Sequence, residues 1–144
     1  MIDPAERRYL ESARVGRLAT ADAEGRPHAV PVCFAFDGTD VVSAIDEKPK
    51  SAGPADLRRV RDVRANPAVV LVVDHYTENW DDLGWVQVRG TATVQAPGQE
   101  THGDAVRSLR AKYDQYADHA LGERPLLRID PGLVRSWGTL ERPG

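Results

Sequence analysis

The sequence contains a single cysteine, Cys33, among its 144 residues. One cysteine excludes an internal disulfide and any zinc site built from several thiolates. Because Cys33 stands inside the apolar run 30–34, we expect a small buried side chain and not a reactive thiol.

Long apolar runs are also absent. No stretch approaches the roughly 20 consecutive apolar residues that a membrane-spanning helix needs. Residues 1–7 lack the basic and then apolar layout of a secretory signal peptide. The sequence therefore predicts a cytoplasmic protein with no membrane association.

The usual signatures of self-sufficient catalysis are missing as well. The histidines at positions 28, 75, 102 and 119 show neither His-x-His nor His-Glu-x-x-His spacing, so we predict no metal site. No serine lies in a Gly-x-Ser-x-Gly context, and no carboxylate pair stands out as an acid–base couple. An enzyme with this sequence would rely on a cofactor, while the protein supplies binding and orientation.

The length and the 41% content of hydrophobic residues predict one domain over residues 1–144. Asp3, Pro4 and Glu6 form a helix start that predicts a helix to about residue 12. Short β-compatible segments at 15–21, 28–36 and 41–45, separated by turn sequences, predict three antiparallel strands in succession.

The second half of the chain alternates helix and strand patterns. Helices are predicted over 55–65, closed by Asn66-Pro67, and over about 100–117. The β-branched run 69–73 is typical of a strand buried on both faces, and 86–94 alternates like a strand with one wet face. Final strands are expected at 126–129 and 133–137, broken by Asp130-Pro131-Gly132. The pattern favours a mainly β (α+β) fold, a split or closed β-barrel of about six antiparallel strands with peripheral helices.

Positive charge is concentrated between residues 48 and 64. Six cations and two carboxylates give this stretch a local charge of +4, whereas the whole protein carries −3. Arg58 and Arg61 share a helix face, and Lys48 and Lys50 precede the helix, so these side chains would converge on an anion such as a phosphate. Exposed arginines on a short helix also commonly form only a solvated surface, the reading we favour for Arg64.

Nucleic acid is the rival partner for a basic segment. A pI near 5.8 and an aromatic content of 6% argue against it. The other notable cluster is aromatic, with Trp80 and Trp85 in the segment 75–85. These tryptophans would close the barrel or fill a dimer interface, or else Trp85 would face a planar ring and Trp80 would gate the site.

The order of these motifs resembles one known family. Gly16-Arg17-Leu18-Ala19-Thr20, Phe34-Ala35-Phe36-Asp37-Gly38, Lys48-Pro49-Lys50, the basic helix and the valine-rich strand follow one another as in the pyridoxamine 5′-phosphate oxidase-like, FMN-binding-like split β-barrel family. The resemblance is to its actinobacterial branch that depends on the deazaflavin coenzyme F-420. It extends from Val15 to about Val94, and 128–131 and Trp137 also fit.

The resemblance implies a homodimer with the cofactor at the subunit interface. By position, the phosphate ligands would be Lys48, Lys50, Arg59 and Arg61, with Arg58 as a near alternative. Pro31, Val32, Ser43 and Ile45 would border the ring, and Trp85 would approach it near the partner subunit.

The implied activity is hydride transfer from coenzyme F-420 to a small unsaturated or heterocyclic substrate. The number of cations favours the deazaflavin, whose tail carries several carboxylates, and the alternatives are an FMN oxidoreductase or a non-catalytic cofactor-binding or carrier protein. This chain departs from the family in two ways. Asp62 replaces an Asn of many relatives, which is unfavourable beside a phosphate unless the carboxylate turns toward an arginine. A C-terminal Arg-x-His pattern is lacking, which argues against pyridoxamine phosphate oxidase activity itself.

Overall fold

A computed structural model describes residues 2–45 and 57–141 of the chain. In these ranges the α-helices are α1 (Pro4–Ser12), α2 (Arg58–Ala65) and α3 (His102–Lys112), and short 3-10 helices cover Trp80–Asp82, Asp114–Asp118 and Leu121–Glu123. The strands are β1 (Gly16–Ala21), β2 (Pro27–Val32), β3 (Ala35–Phe36), β4 (Val41–Ala44), β5 (Ala68–His75), β6 (Gly84–Gln95) and β7 (Leu126–Gly138). None of the described helices has the length and apolar character needed to cross a membrane.

The strands form one curled sheet in the order β2-β1-β5-β6-β7-β4-β3, with every neighbouring pair antiparallel. The described strands number seven, which corrects the expected number of about six. The apolar run 28–36 breaks at Cys33 and Phe34 into β2 and β3, which lie at opposite edges of the sheet. Both expected hairpin pairings are found, β1 with β2 and β3 with β4, but the middle segment is two strands and not one.

Side chains hold the chain at this break. The backbone N–H of Phe34 donates to the Tyr113 hydroxyl at 3.1 Å, and the Ser43 hydroxyl donates to the Cys33 carbonyl at 2.8 Å. These bonds satisfy backbone groups that a continuous ladder would otherwise pair. The Ser43 bond also joins the end of β2 to β4, so the two ends of the curled sheet meet here.

The C-terminal strand is continuous, contrary to the two strands expected around residues 130–132. A register shift between Arg89 and Gly90 lets Gly90 pair with Pro131 while Arg89 pairs with Leu133, so Gly132 is the extra residue of a β-bulge. A bulge tolerates the missing N–H of proline without ending the strand.

The local predictions for α1 and β6 are confirmed, whereas α2 begins at Arg58 and α3 ends at Lys112, before the expected residue 117. Asp3 accepts from the backbone N–H of Glu6 at 2.8 Å and Glu6 accepts from that of Asp3 at 3.0 Å, which is the expected capping box. β6 buries Val86, Val88 and Ala92 on one face. β5 differs from the expectation, because its even-numbered residues Val70 and Val72 are only half-buried.

The core consists of two clusters of buried hydrophobic residues. The larger cluster packs α1 and α2 against the concave face and is represented by Leu10, Leu18, Val60, Leu71, Val88 and Leu127. The smaller cluster packs α3 and the following 3-10 helices against β3 and β4, through Ala35, Val42, Leu109, Tyr113 and Tyr116. The second cluster positions one wall of the candidate site.

Lys112, at the end of α3, is half-buried beside these clusters. Its Nζ lies 4.0 Å from the centre of the Phe34 ring and donates to the Leu10 carbonyl at 3.1 Å. Burial, followed by the charge of Arg14, lowers the pKa of Lys112 from 10.5 to about 8. Tyr9 and Tyr113 show the opposite effect, because burial raises their pKa values from 10.0 to about 12.

These pKa shifts predict how stability depends on pH. The unfolded chain keeps the Lys112 proton up to pH 10.5 while the folded chain releases it near pH 8, so Lys112 makes stability rise between those values. The two tyrosines lower stability above pH 10, where the unfolded chain ionises first. We expect the free-energy difference between the wild type and Lys112→Met, measured by urea unfolding, to grow in favour of the wild type as the pH rises from 8. A pH-independent difference would contradict this assignment.

Candidate functional site

A cavity of about 140 Å³ opens where five segments of the fold meet. The segments are the chain just before β1, the end of β2, the end of β4, helix α2 and the 3-10 helix after α3. The residues that line it are Val15, Pro31, Val32, Cys33, Ala44, Arg59 and Tyr116. The cavity therefore combines one guanidinium with an apolar and aromatic wall.

Three of the residues predicted from the sequence meet in this cavity, namely Pro31, Val32 and Arg59. Ser43 and Ile45 do not line it, because they are only 2% and 1% exposed. Ala44, which lies between them, lines the cavity instead. Successive residues of a strand point to opposite faces, so only one of the three positions in this stretch faces the cavity.

Arg58 is engaged elsewhere. Its Nε lies 3.1 Å from both carboxylate oxygens of Asp62, and its Nη2 donates to the Arg26 carbonyl at 3.3 Å. Asp62 is buried and also accepts from the Thr20 hydroxyl at 2.7 Å. The Asp62 carboxylate is thus turned toward an arginine, which is the condition under which an acidic residue was expected to be acceptable at this position.

The remaining predicted residues are spread more widely. Arg61 is exposed on α2 and does not line the cavity. Lys48 and Lys50 lie outside the described residues. Trp85 is half-buried on β6, where it pairs with Asp74 of β5 and Trp137 of β7, and it does not line the cavity of its own chain. Trp80 is 69% exposed in the loop before β6.

Four lining residues escaped the sequence analysis: Val15, Cys33, Ala44 and Tyr116. Cys33 is half-buried and lines the cavity, which corrects the expectation of a buried core residue. Its neighbour Val32 was predicted to border the ring. The position of Cys33 directly after Val32 was therefore the signal that could have placed it at the site. Tyr116 offered none, because only the packing of α3 against β4 brings residue 116 to this place.

The cavity has the volume and lining of a site for the edge of a planar ring. Its volume is close to that of an apolar cavity of about 150 Å³ that holds a single benzene ring. Arg59 provides a planar donor for an anionic or carbonyl group of such a ligand. Within residues 2–45 and 57–141, no cluster of His, Cys, Asp and Glu side chains is arranged to hold a metal.

Comparison with known families gives one match along most of the chain. The family described as pyridoxamine 5′-phosphate oxidase matches residues 2–138. A 5a,11a-dehydrotetracycline/5a,11a-dehydrooxytetracycline reductase of Streptomyces rimosus is 32% identical over 130 residues, which cover 90% of this chain and 78% of the reductase.

Solved structures share the fold. A heme storage protein of Vibrio cholerae superposes with a TM-score of 0.73 at 17% identity, covering 98% of this chain and 99% of the other. An FAD-binding protein of Mesorhizobium loti superposes with a TM-score of 0.63 at 26% identity, covering 94% of each chain. The first likeness, at its low identity, concerns the fold alone.

Proposed function

Because this chain belongs to the pyridoxamine 5′-phosphate oxidase family, we propose that it is an oxidoreductase that binds a flavin-type cofactor and reduces a small unsaturated or heterocyclic substrate. The observation that carries the proposal is the cavity that joins Arg59 to Pro31, Val32 and Tyr116. A reductase among the relatives and an FAD-binding protein among the structural neighbours support it.

Within this proposal, the cofactor is the deazaflavin coenzyme F-420, with FMN as the alternative. The support is the basic segment, in which four cations are left for a ligand once Arg58 pairs with Asp62 and Arg64 is assigned to the surface, more than a single phosphate needs. Arg59, Arg61, Lys48 and Lys50 would hold the anionic groups, and Pro31 and Val32 would border the ring. When bound, the deazaflavin supplies a hydride, so the protein has to align the acceptor and exclude water.

We further propose that a second copy of this chain completes the site. Val70 and Val72 on β5 and Ala19 on β1 form a half-buried apolar strip on the outer face of the sheet. A groove of about 370 Å³ adjoins part of this strip and is lined by Ala19, Thr20, Ala21, Ala68, Val69, Val70, Arg89 and Gly90. An outward-facing apolar strip of this kind suits the interface of a two-fold dimer, and light scattering with and without cofactor measures the oligomeric state directly.

The decisive experiment is a titration of the purified protein. We expect fluorescence titration with oxidised coenzyme F-420 to show micromolar or tighter binding, followed by hydride transfer from the reduced coenzyme to an acceptor in a panel of conjugated enones. Micromolar binding to FMN alone would reject the deazaflavin, and failure to bind either would reject the flavin-type proposal. Binding without transfer to any acceptor would favour the non-catalytic carrier.

The anion-binding role of the basic segment predicts a mutational effect. We expect the double variant Lys50→Ala/Arg59→Ala to bind the cofactor about tenfold more weakly or worse, because two charge-assisted contacts are lost. The fold should survive, since Arg59 lines the cavity and not the apolar core. Arg64→Ala is the matched control, because Arg64 lies on the exposed surface at the end of α2. Equal cofactor affinities for the double variant and the control would show that Lys50 and Arg59 do not bind the cofactor.

A further inference from the structure

Tyr116 has a position that differs from that of every predicted site residue. It belongs to the 3-10 helix Asp114–Asp118, in the connection between α3 and β7. Its side chain is only 5% exposed, yet it lines the same cavity as Pro31, Val32 and Arg59. The small exposed part of the Tyr116 side chain therefore faces the cavity, and the rest of the side chain is packed against the protein.

Aromatic neighbours fix the orientation of this ring. The centre of the Tyr116 ring lies 5.5 Å from that of Tyr113 at 64°, and 5.5 Å from that of His119 at 74°. Both are edge-to-face contacts, the geometry that aromatic quadrupoles favour. Because a ring held on two sides cannot swing aside, Tyr116 is a rigid wall and not an adaptable one.

The backbone of the segment is held from α3. Arg110 donates from Nη2 to the His119 carbonyl at 2.8 Å and from Nε to the Tyr116 carbonyl at 3.3 Å. One guanidinium therefore spans the segment that carries the ring.

We infer that Tyr116 sets the size of the planar ring that the cavity admits, and that Arg110 is its positioning residue. The inference rests on the proposed function, because the ring would be that of the cofactor or of the acceptor. The cavity of about 140 Å³ has room for a single ring. Removal of the phenol group would open space for a further fused ring at this edge.

Cys33 is a built-in reporter for the test, because it is the single cysteine of the chain and it lines the cavity. The measurement is the rate of Cys33 alkylation by iodoacetamide, followed by mass spectrometry. We expect Tyr116→Ala to raise the rate about fivefold or more, since thiol reactivity follows access, and Tyr116→Phe to leave it unchanged. Arg110→Ala should raise the alkylation rate by a smaller factor. Arg110→Lys should bring the rate part of the way back to that of the wild type.

Leu121→Ala is the matched control. Leu121 is buried in the same core cluster as Tyr116 but does not line the cavity. Its truncation should loosen the segment without opening the cavity, so the alkylation rate should stay near that of the wild type. An equal increase in Leu121→Ala would show general loosening and overturn the wall role of Tyr116.

Protection of Cys33 from alkylation by a bound ligand shows whether the cavity holds the ring of the cofactor or that of the acceptor. Slower alkylation of the wild type in saturating coenzyme F-420 or FMN assigns the cavity to the cofactor. Slower alkylation in cyclohexanone, a ring ketone that does not add to thiols as an enone would, assigns it to the acceptor. Equal rates in the wild type and Tyr116→Ala overturn the inference whatever ligand binds. Faster alkylation of Tyr116→Ala with no protection by any of these ligands supports the wall and contradicts the proposed function at this cavity.

Discussion

Gly90→Ala is expected to destabilise the protein by about 3 kcal/mol, the upper range for overpacking a well-packed site. A Cβ atom at this position would lie 2.3 Å from the Asp130 carbonyl oxygen and 2.9 Å from Cγ2 of Ile129. The first of these atoms belongs to the backbone of the bulged strand, so the methyl group can be accommodated only if β6 and β7 separate. The measurement is urea unfolding followed by tryptophan fluorescence at a fixed protein concentration.

Gly103→Ala is the matched control for this substitution. Gly103 lies in α3, and the nearest atom to its added Cβ is the flexible end of Arg107, at 3.7 Å. Gly103 is the second residue of α3, so alanine there should gain less than the roughly 0.5–1 kcal/mol that it gains over glycine in a helix interior. Only Gly90→Ala is expected to cause a large loss. A loss below about 1 kcal/mol for Gly90→Ala would mean that the bulge adapts.

Asp62→Ala is the second substitution with a large expected effect, a loss of about 2–3 kcal/mol of folding free energy. The carboxylate is 3% exposed and accepts from Thr20, whose side chain is also buried, and from Arg58. Its removal leaves the buried Thr20 hydroxyl without this acceptor and takes the carboxylate from Arg58, whose Nη2 keeps its bond to the Arg26 carbonyl. Because the Arg58 side chain is 37% exposed, water compensates part of the loss. Asp62→Asn should lose less, since its amide oxygen still accepts from Thr20.

Glu11→Ala provides the comparison for Asp62→Ala. Arg7 and Glu11 form the same i,i+4 pair on a helix, with Nε and Oε2 3.2 Å apart, but their side chains are 50% and 44% exposed. Exposed pairs contribute little, so stability should hardly change. Equal losses in the two variants would show that burial does not strengthen the Arg58–Asp62 pair. Cofactor affinity should also be measured in Asp62→Ala, because the released Arg58 adds a cation near Arg59.

Sequence reasoning succeeded where interactions are local. The capping box of α1 joins residues three apart, and the amphipathic pattern of α2 and the alternation of β6 repeat within a few positions. It failed at two places where distant pairing decided the outcome. Tyr113 and Phe34, 79 positions apart, hold the break between β2 and β3, and the bulge opposite Gly90 keeps β7 continuous through Pro131.

The candidate site also has features that the local sequence predicts and features that only long-range packing decides. Charge density is a property of the linear chain, so the basic segment and the turn of Asp62 toward an arginine were open to prediction. The cavity itself gathers residues from positions 15 to 116, and no local pattern marks Ala44 instead of Ser43, or Tyr116 at all.

The sequence by itself thus determined a β-rich fold with a basic helix α2, because those features depend on residue type and short spacing. The tertiary structure decided which side of each strand faces the cavity, that Arg59 and not Arg58 lines it, and that an aromatic side chain from the α3–β7 connection forms its wall. Those outcomes depend on long-range packing, in which each side chain takes the partner that the curled sheet brings to it.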